Sequence, residues 1–185
     1  MQKPNSEKII LGIDPGTTVM GYGLVSITGK KMSFILCGVI NLSKDSNQAL
    51  KVKKIAERVS EIIEENHSDE VALESPFYGK NIQVALKLGR AQGVAMAAAL
   101  VKEIPITEYA PRKVKQSVTG NGNASKEQVA AMLKKLLHFE DKDFPLDATD
   151  ALGVAVCHFF QSGIPQGKSS AGWGAFVKDN PDRIK

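Results

Sequence analysis

The order in which the apolar runs follow one another constrains this chain most. Lys8–Asp14 is apolar, β-branched and halted by Asp14-Pro15-Gly16, so it predicts a largely buried strand closed by a turn. Tyr22–Thr28 and Lys31–Asn41 are two further strands, and the tight Thr28-Gly29-Lys30 between them demands an antiparallel hairpin. The period then lengthens. Residues 47–66 place Val52, Ile55, Val59, Ile62 and Ile63 on one helical stripe with Lys and Glu opposite. Glu70–Glu74 predicts a fourth strand, residues 81–102 a long helix, and Ile104–Glu108 a fifth strand. Ser125-Lys126-Glu127-Gln128 reads as a capping box, opening a helix whose core side is Val129, Met132, Leu133, Leu136 and Leu137. A last helix spans Leu146–Phe160. Strands in an antiparallel meander, then helix and strand in alternation, predict an α/β domain. Its five-stranded mixed sheet has two parallel strands after the meander and is flanked by helices.

A chain of 185 residues buries enough surface to need no disulfide or structural metal. The two cysteines, Cys37 and Cys157, sit among apolar neighbours and are expected to be buried free thiols, which suits a reducing cytoplasm. The polar N-terminus lacks the apolar run of a signal peptide, and the stretch around Val94–Val101 is too short to span a bilayer. Beyond Gln161 the composition turns to Gly, Ser and Pro, so residues 8–160 are expected to form the domain and 161–185 a loose tail. Gly89, Gly93 and Ala97, spaced by four, allow close approach of another backbone, either within the fold or at a subunit interface.

Charge is unevenly spread. The net +4 hides a local +7 between Lys80 and Lys135, where ten Lys and Arg face Glu103, Glu108 and Glu127, and the rest of the chain sums to −3. A basic middle of this kind suits a phosphate backbone, with salt-dependent affinity. Asp14 and Glu74 both end strands, on the sheet edge where ligands gather in open α/β folds. Asp147 and Asp150, three apart at a helix start, share one face. An oxygen-only set of this type suits Mg²⁺ or Mn²⁺, and a pair of such ions about 3.5–4 Å apart can activate water and stabilise a leaving oxygen in phosphodiester hydrolysis. Taken singly, each acid has a structural alternative. Asp14 could form a turn, Asp147 and Asp150 could complement a helix dipole, and Glu74 could be an exposed strand end.

Several segments in this order resemble the RuvC family of crossover-junction endodeoxyribonucleases, the bacterial Holliday junction resolvases. They are Gly12-Ile13-Asp14-Pro15-Gly16 with Gly21-Tyr22-Gly23, Glu74-Ser75-Pro76-Phe77, and Asp147-Ala148-Thr149-Asp150-Ala151-Leu152. The stretches 81–91, 109–115 and 120–126 match as well, and the likeness covers residues 8–160. It implies a ribonuclease H-like fold and symmetric two-metal cleavage of four-way DNA junctions in homologous recombination and DNA repair. It further implies two Mg²⁺ per active site, with Mn²⁺ able to substitute, a homodimer, and association with the RuvA–RuvB branch-migration complex. By motif position, Asp14, Glu74, Asp147 and Asp150 would be catalytic metal ligands. Phe77 would pack against an unstacked base, Lys115 and Lys126 would meet phosphate near the scissile bond, and Lys80, Arg90 and Arg112 would contact DNA. The tail around Trp173 matches no family motif and is expected to be a disordered extension, with docking to RuvA or RuvB as the alternative. The first motif with Thr17-Thr18 also resembles the phosphate loop of actin-like and Hsp70-like ATP-binding proteins, but they need a second such subdomain and loop.

Overall fold

The computed structural model describes residues 7–44, 47–76, 81–139 and 144–162. Its elements are β1 (Lys8–Asp14), β2 (Val19–Thr28), β3 (Lys31–Asn41), α1 (Gln48–Asn66), β4 (Glu70–Glu74), α2 (Ile82–Leu100), β5 (Ile106–Tyr109), α3 (Pro111–Thr119), α4 (Lys126–Leu137) and α5 (Leu146–Ser162). The strands form one sheet in the order β3-β2-β1-β4-β5. β1 runs antiparallel to β2 and β2 to β3, whereas β1 pairs parallel with β4 and β4 with β5. Gly29, at φ 64, supplies the positive dihedral of the β2–β3 turn, where Thr28 pairs with Lys31. The expected meander and its two parallel additions are therefore present.

Alternation along the strands assigns each side chain to one of two layers. Leu11 and Ile13 of β1 join Met20, Leu24, Val71 and Leu73 under α1 and α2, where Ile55, Val59, Ile62 and Ile63 meet Ala91, Ala95 and Ala99. Ile10 faces the other way with Val25 and Ile27, under Leu152, Ala155 and Val156 of α5 and Val129, Leu133 and Leu137 of α4. A third cluster joins Ala72 of β4 to Val114 of α3 and to Val154 and Cys157 of α5. α5 thus lies between the sheet and the outer pair α3 and α4, and from Ala148 to His158 every residue except Asp150 is buried. A helix apolar on all sides is what such a middle position requires.

Glycines set how deep α5 sits. Gly12 of β1 pairs with Gly23 of β2, and Asp14 pairs with Gly21. A Cβ on Gly23 would lie 2.6 Å from Leu152 Cα, one on Gly12 2.6 Å from the Ala155 nitrogen, and one on Gly21 against the Asp147 carbonyl. Missing side chains on two strands form a trough, and the helix backbone rests in it.

The expected boundaries shift in places. β2 begins at Val19, three residues earlier than Tyr22; β5 covers Ile106–Tyr109; and α5 continues to Ser162. α3 is an unexpected element. Its signals are Pro111 at the first turn, Val114 and Val118 four apart on the buried side, and Gly120 at φ 77 closing the C-terminus. Both cysteines are free; Cys157 is buried, as expected, while Cys37 is only partly so. Most of the expected tail, including Trp173, lies outside the described residues.

Candidate active site

Asp14 ends β1 and Glu74 ends β4, and because these strands are parallel neighbours, both carboxylates reach the same edge of the sheet. Even spacing in each strand turns both toward α5: Asp14 lies two residues beyond Gly12, and Glu74 two beyond Ala72. The trough brings the first turn of α5 down to meet them. Asp14, Asp147 and Asp150 each offer a carboxylate oxygen, all within 4.8 Å of one another. Glu74, Asp14 and Asp150 share a cavity of about 300 Å³ with Lys115 of α3, Lys126 of α4, Pro111, Val114 and Val129. A larger cleft of about 380 Å³ lies beside α4, lined by residues including Gln128, Met132 and Lys135, and its described lining contains no carboxylate.

The electrostatics of the cavity follow from this crowding. Burial first, and then the charge of Asp150, pushes the Asp14 carboxyl up from 3.8 to about 7. Burial, reinforced by Asp14 and Asp150, pushes Glu74 up from 4.5 to about 8. Lys126 opposes the repulsion, because its ammonium pairs closely with Asp150 and stands 3.5 Å from an Asp147 oxygen. Partial burial works against the charge on Lys126, yet the bond to Asp150 holds it above the ordinary lysine range. Lys126 is the first residue of α4, where Ser125 and Gln128 cap each other reciprocally. Oxygen-only donors that repel one another and already draw in an ammonium fit a hard divalent cation.

A part-buried chain of polar side chains links this part of the sheet to α5. The His158 ring bonds through Nδ1 to the Tyr109 hydroxyl at 2.8 Å and through Nε2 to Glu70 at 2.7 Å, and Glu70 also pairs with Lys8. Partial burial disfavours the charge on Glu70, but hydrogen bonds from Lys8 and His158 keep its carboxyl below the usual range. A charged Glu70 must accept, so Nε2 carries a proton and donates to it, while Nδ1 meets the Tyr109 hydroxyl. The Tyr109 carbonyl in turn accepts from Ser75 N at 2.8 Å. The backbone just past Glu74 is therefore tied, through Tyr109 and His158, to α5.

The other expected contacts are spread more widely. Arg112 lies on α3, where its side chain packs against Gly122; a Cβ there would be 2.7 Å from Arg112 Cγ. Arg90 is exposed on α2 and outside the cavity lining. Phe77 and Lys80 fall outside the described residues. Gly89 and Gly93 face open space rather than a neighbouring element. Around them, Ile82 (73%), Leu86 (53%), Leu100 (58%) and Val101 (84%) leave an apolar side of α2 exposed. Sequence reasoning missed the Tyr109–His158–Glu70 chain, because the three lie in separate elements and none stands in a recognisable pattern.

The family model described as crossover junction endodeoxyribonuclease RuvC matches residues 10–158. A protein of that name from Cytophaga hutchinsonii is 62% identical over 179 residues, covering 97% of this chain and 89% of its own length. The Bacteroides fragilis protein of the same name is 57% identical over the full length of both chains. Among solved structures, Thermus thermophilus RuvC in complex with Holliday junction substrate superposes with a TM-score of 0.77 at 32% identity, covering 84% of this chain and 94% of that one. The yeast mitochondrial Holliday junction resolvase Ydc2, at 14% identity and a TM-score of 0.59, shares the fold.

Proposed function

The chain belongs to the RuvC family of crossover junction endodeoxyribonucleases, and on that premise we propose that its acidic cavity cuts four-way DNA junctions with Mg²⁺. The fold is ribonuclease H-like, and the chain is an endonuclease of recombination and repair. One observation carries the site assignment: three carboxylates converge within 4.8 Å in a cluster whose cavity also takes in Glu74 and two lysines. Asp14, Asp147 and Asp150 would hold the metal, with Glu74 completing the set from the neighbouring strand. Bound there as a pair, the ions would supply a water nucleophile at neutral pH and charge for the leaving oxygen. Lys115 and Lys126 bind and orient the scissile phosphate, and the apolar wall of Pro111, Val114 and Val129 limits water around it. Arg112, Arg90, Lys80 and Phe77 extend the contact along the DNA, the aromatic ring against an unstacked base.

We place a second copy of the chain on the exposed apolar side of α2, which would set two cavities symmetrically across a junction. The finer expectations are Mg²⁺ with Mn²⁺ as substitute, cytoplasmic location and association with RuvA–RuvB, the last checked by co-sedimentation on junction DNA. Among the described residues no helix is long and apolar enough to cross a membrane.

The test is incubation with a synthetic four-way junction, a Y-fork and a linear duplex, with Mg²⁺ and with EDTA. Symmetric metal-dependent nicks on the four-way junction are expected, with Asp14→Asn binding the junction but leaving it uncut. Equal cutting by that variant overturns the site assignment.

A further inference from the structure

Lys126 is oddly placed for a residue whose role is to meet phosphate. It opens α4, where the exposed amides of the first turn favour a negative side chain over a positive one. Its ammonium does not point to open solvent. It pairs with Asp150 and Asp147, two of the three aspartates whose oxygens converge, and it feels the charge of the third, Asp14. The neighbouring Lys115 lines the same cavity, and none of the described ion pairs joins it to the aspartates. The side chain of Lys126 is 48% exposed and its stem is flexible, so its ammonium has a route from the carboxylates toward the cavity mouth.

We propose that Lys126 is a displaceable counterion of the acidic cluster: it neutralises the aspartates before metal binds, competes with metal for them, and is released toward the phosphate when metal arrives. This rests on the metal-binding reading given above. The reasoning is electrostatic. An ammonium against Asp150 takes up lone pairs that a divalent ion needs, and a third positive charge beside a loaded cluster is repelled. Metal and ammonium therefore exclude each other at Asp150. Once displaced, Lys126 is free to bind phosphate, so by linkage a phosphate that captures Lys126 strengthens metal binding in turn. Lys126 would then couple substrate engagement to metal loading, and metal would be held loosely until a phosphate is in place.

The test is binding rather than cleavage. Free Mn²⁺ is followed by electron paramagnetic resonance during titration of the full chain, without DNA, for wild type, Lys126→Met, Lys126→Arg and Lys115→Met. Lys126→Met keeps the length of the stem and removes its charge, and should bind Mn²⁺ about fivefold more tightly, the upper size of change expected from removing one partly exposed competing ion pair. Lys126→Arg, which keeps a cation, should stay near wild type, and Lys115→Met should change less than Lys126→Met. An unchanged or weaker Mn²⁺ affinity in Lys126→Met, with wild type binding saturably, overturns the proposal and leaves the metal site standing. Failure of both proteins to bind Mn²⁺ overturns the metal reading and the proposal together. Circular dichroism on each variant, with Lys126→Gln as a second neutral replacement, keeps misfolding from imitating either result.

Discussion

Replacing Asp14 with Asn should make the metal-free protein more stable, and only where the wild-type carboxyl is being forced to ionise. In the unfolded chain Asp14 gives up its proton near 3.8, whereas in the fold burial and Asp150 hold the proton to about 7. Between these two values the folded state binds more protons than the unfolded one, so stability falls as pH rises through the window and is constant beyond it. Three decades at about 1.4 kcal/mol each set an upper limit of about 4 kcal/mol, and solvent reaching the cavity reduces this to roughly 2–4 kcal/mol. Asn is neutral and of the same shape, so it escapes the penalty. It also removes one of the charges that raises Glu74, whose own window runs from 4.5 to about 8. Urea unfolding in EDTA at a series of pH values from 4 to 8.5 measures the difference. The variant should match wild type at the acid end and gain progressively to about pH 7. A difference that does not vary with pH, or a variant less stable at pH 8, would refute the claim that the cluster is electrostatically strained. Adding Mg²⁺ should reverse the order, since metal stabilises the protein that binds it.

Gly23→Ala should destabilise the fold by about 1–3 kcal/mol, because its Cβ would sit 2.6 Å from Leu152 Cα and force α5 away from the sheet. A urea midpoint unchanged from wild type would show that the trough tolerates a methyl group. Leu86→Glu places a charge in the exposed apolar side of α2. Sedimentation should show the wild type as a dimer and the variant as a folded monomer; a variant that still dimerises would move the interface elsewhere.

Much of the architecture was legible because it is written in local patterns. The Asp-Pro-Gly stop after β1, the Gly29 turn and the Ser125 capping box each specify geometry within a few residues. The four acids were legible because two end strands and two share a helix turn. α3 was legible in principle, since Pro111 and Gly120 bracket it, but at nine residues it offers too few apolar positions to show a period. What did not show in the sequence depends on contacts between distant segments. His158 reads as one more residue at the end of an apolar helix, although its ring joins residues 49 and 88 positions away. The depth of α5 depends on Gly12 and Gly23 coming into register, which the spacing of a single strand does not reveal. Lys126 read as a phosphate contact, and its pairing with the aspartates emerges only when α4 and α5 pack together.

The trough under α5 has a consequence for how finely the site can be adjusted. Where a helix rests on side chains, its height varies with rotamers and repacking, and evolution can retune it in small ways. Here backbone meets backbone at Gly12, Gly21 and Gly23, so the separation between the strand-borne Asp14 and the helix-borne Asp147 and Asp150 is fixed by atomic radii. No softer layer absorbs an error. The smallest available change is a whole methyl group, a shim of a fixed thickness. Inserted singly at each glycine, it would tilt or lift the helix by different amounts. The three alanine variants are thus a graded gauge of how much play this carboxylate cluster tolerates.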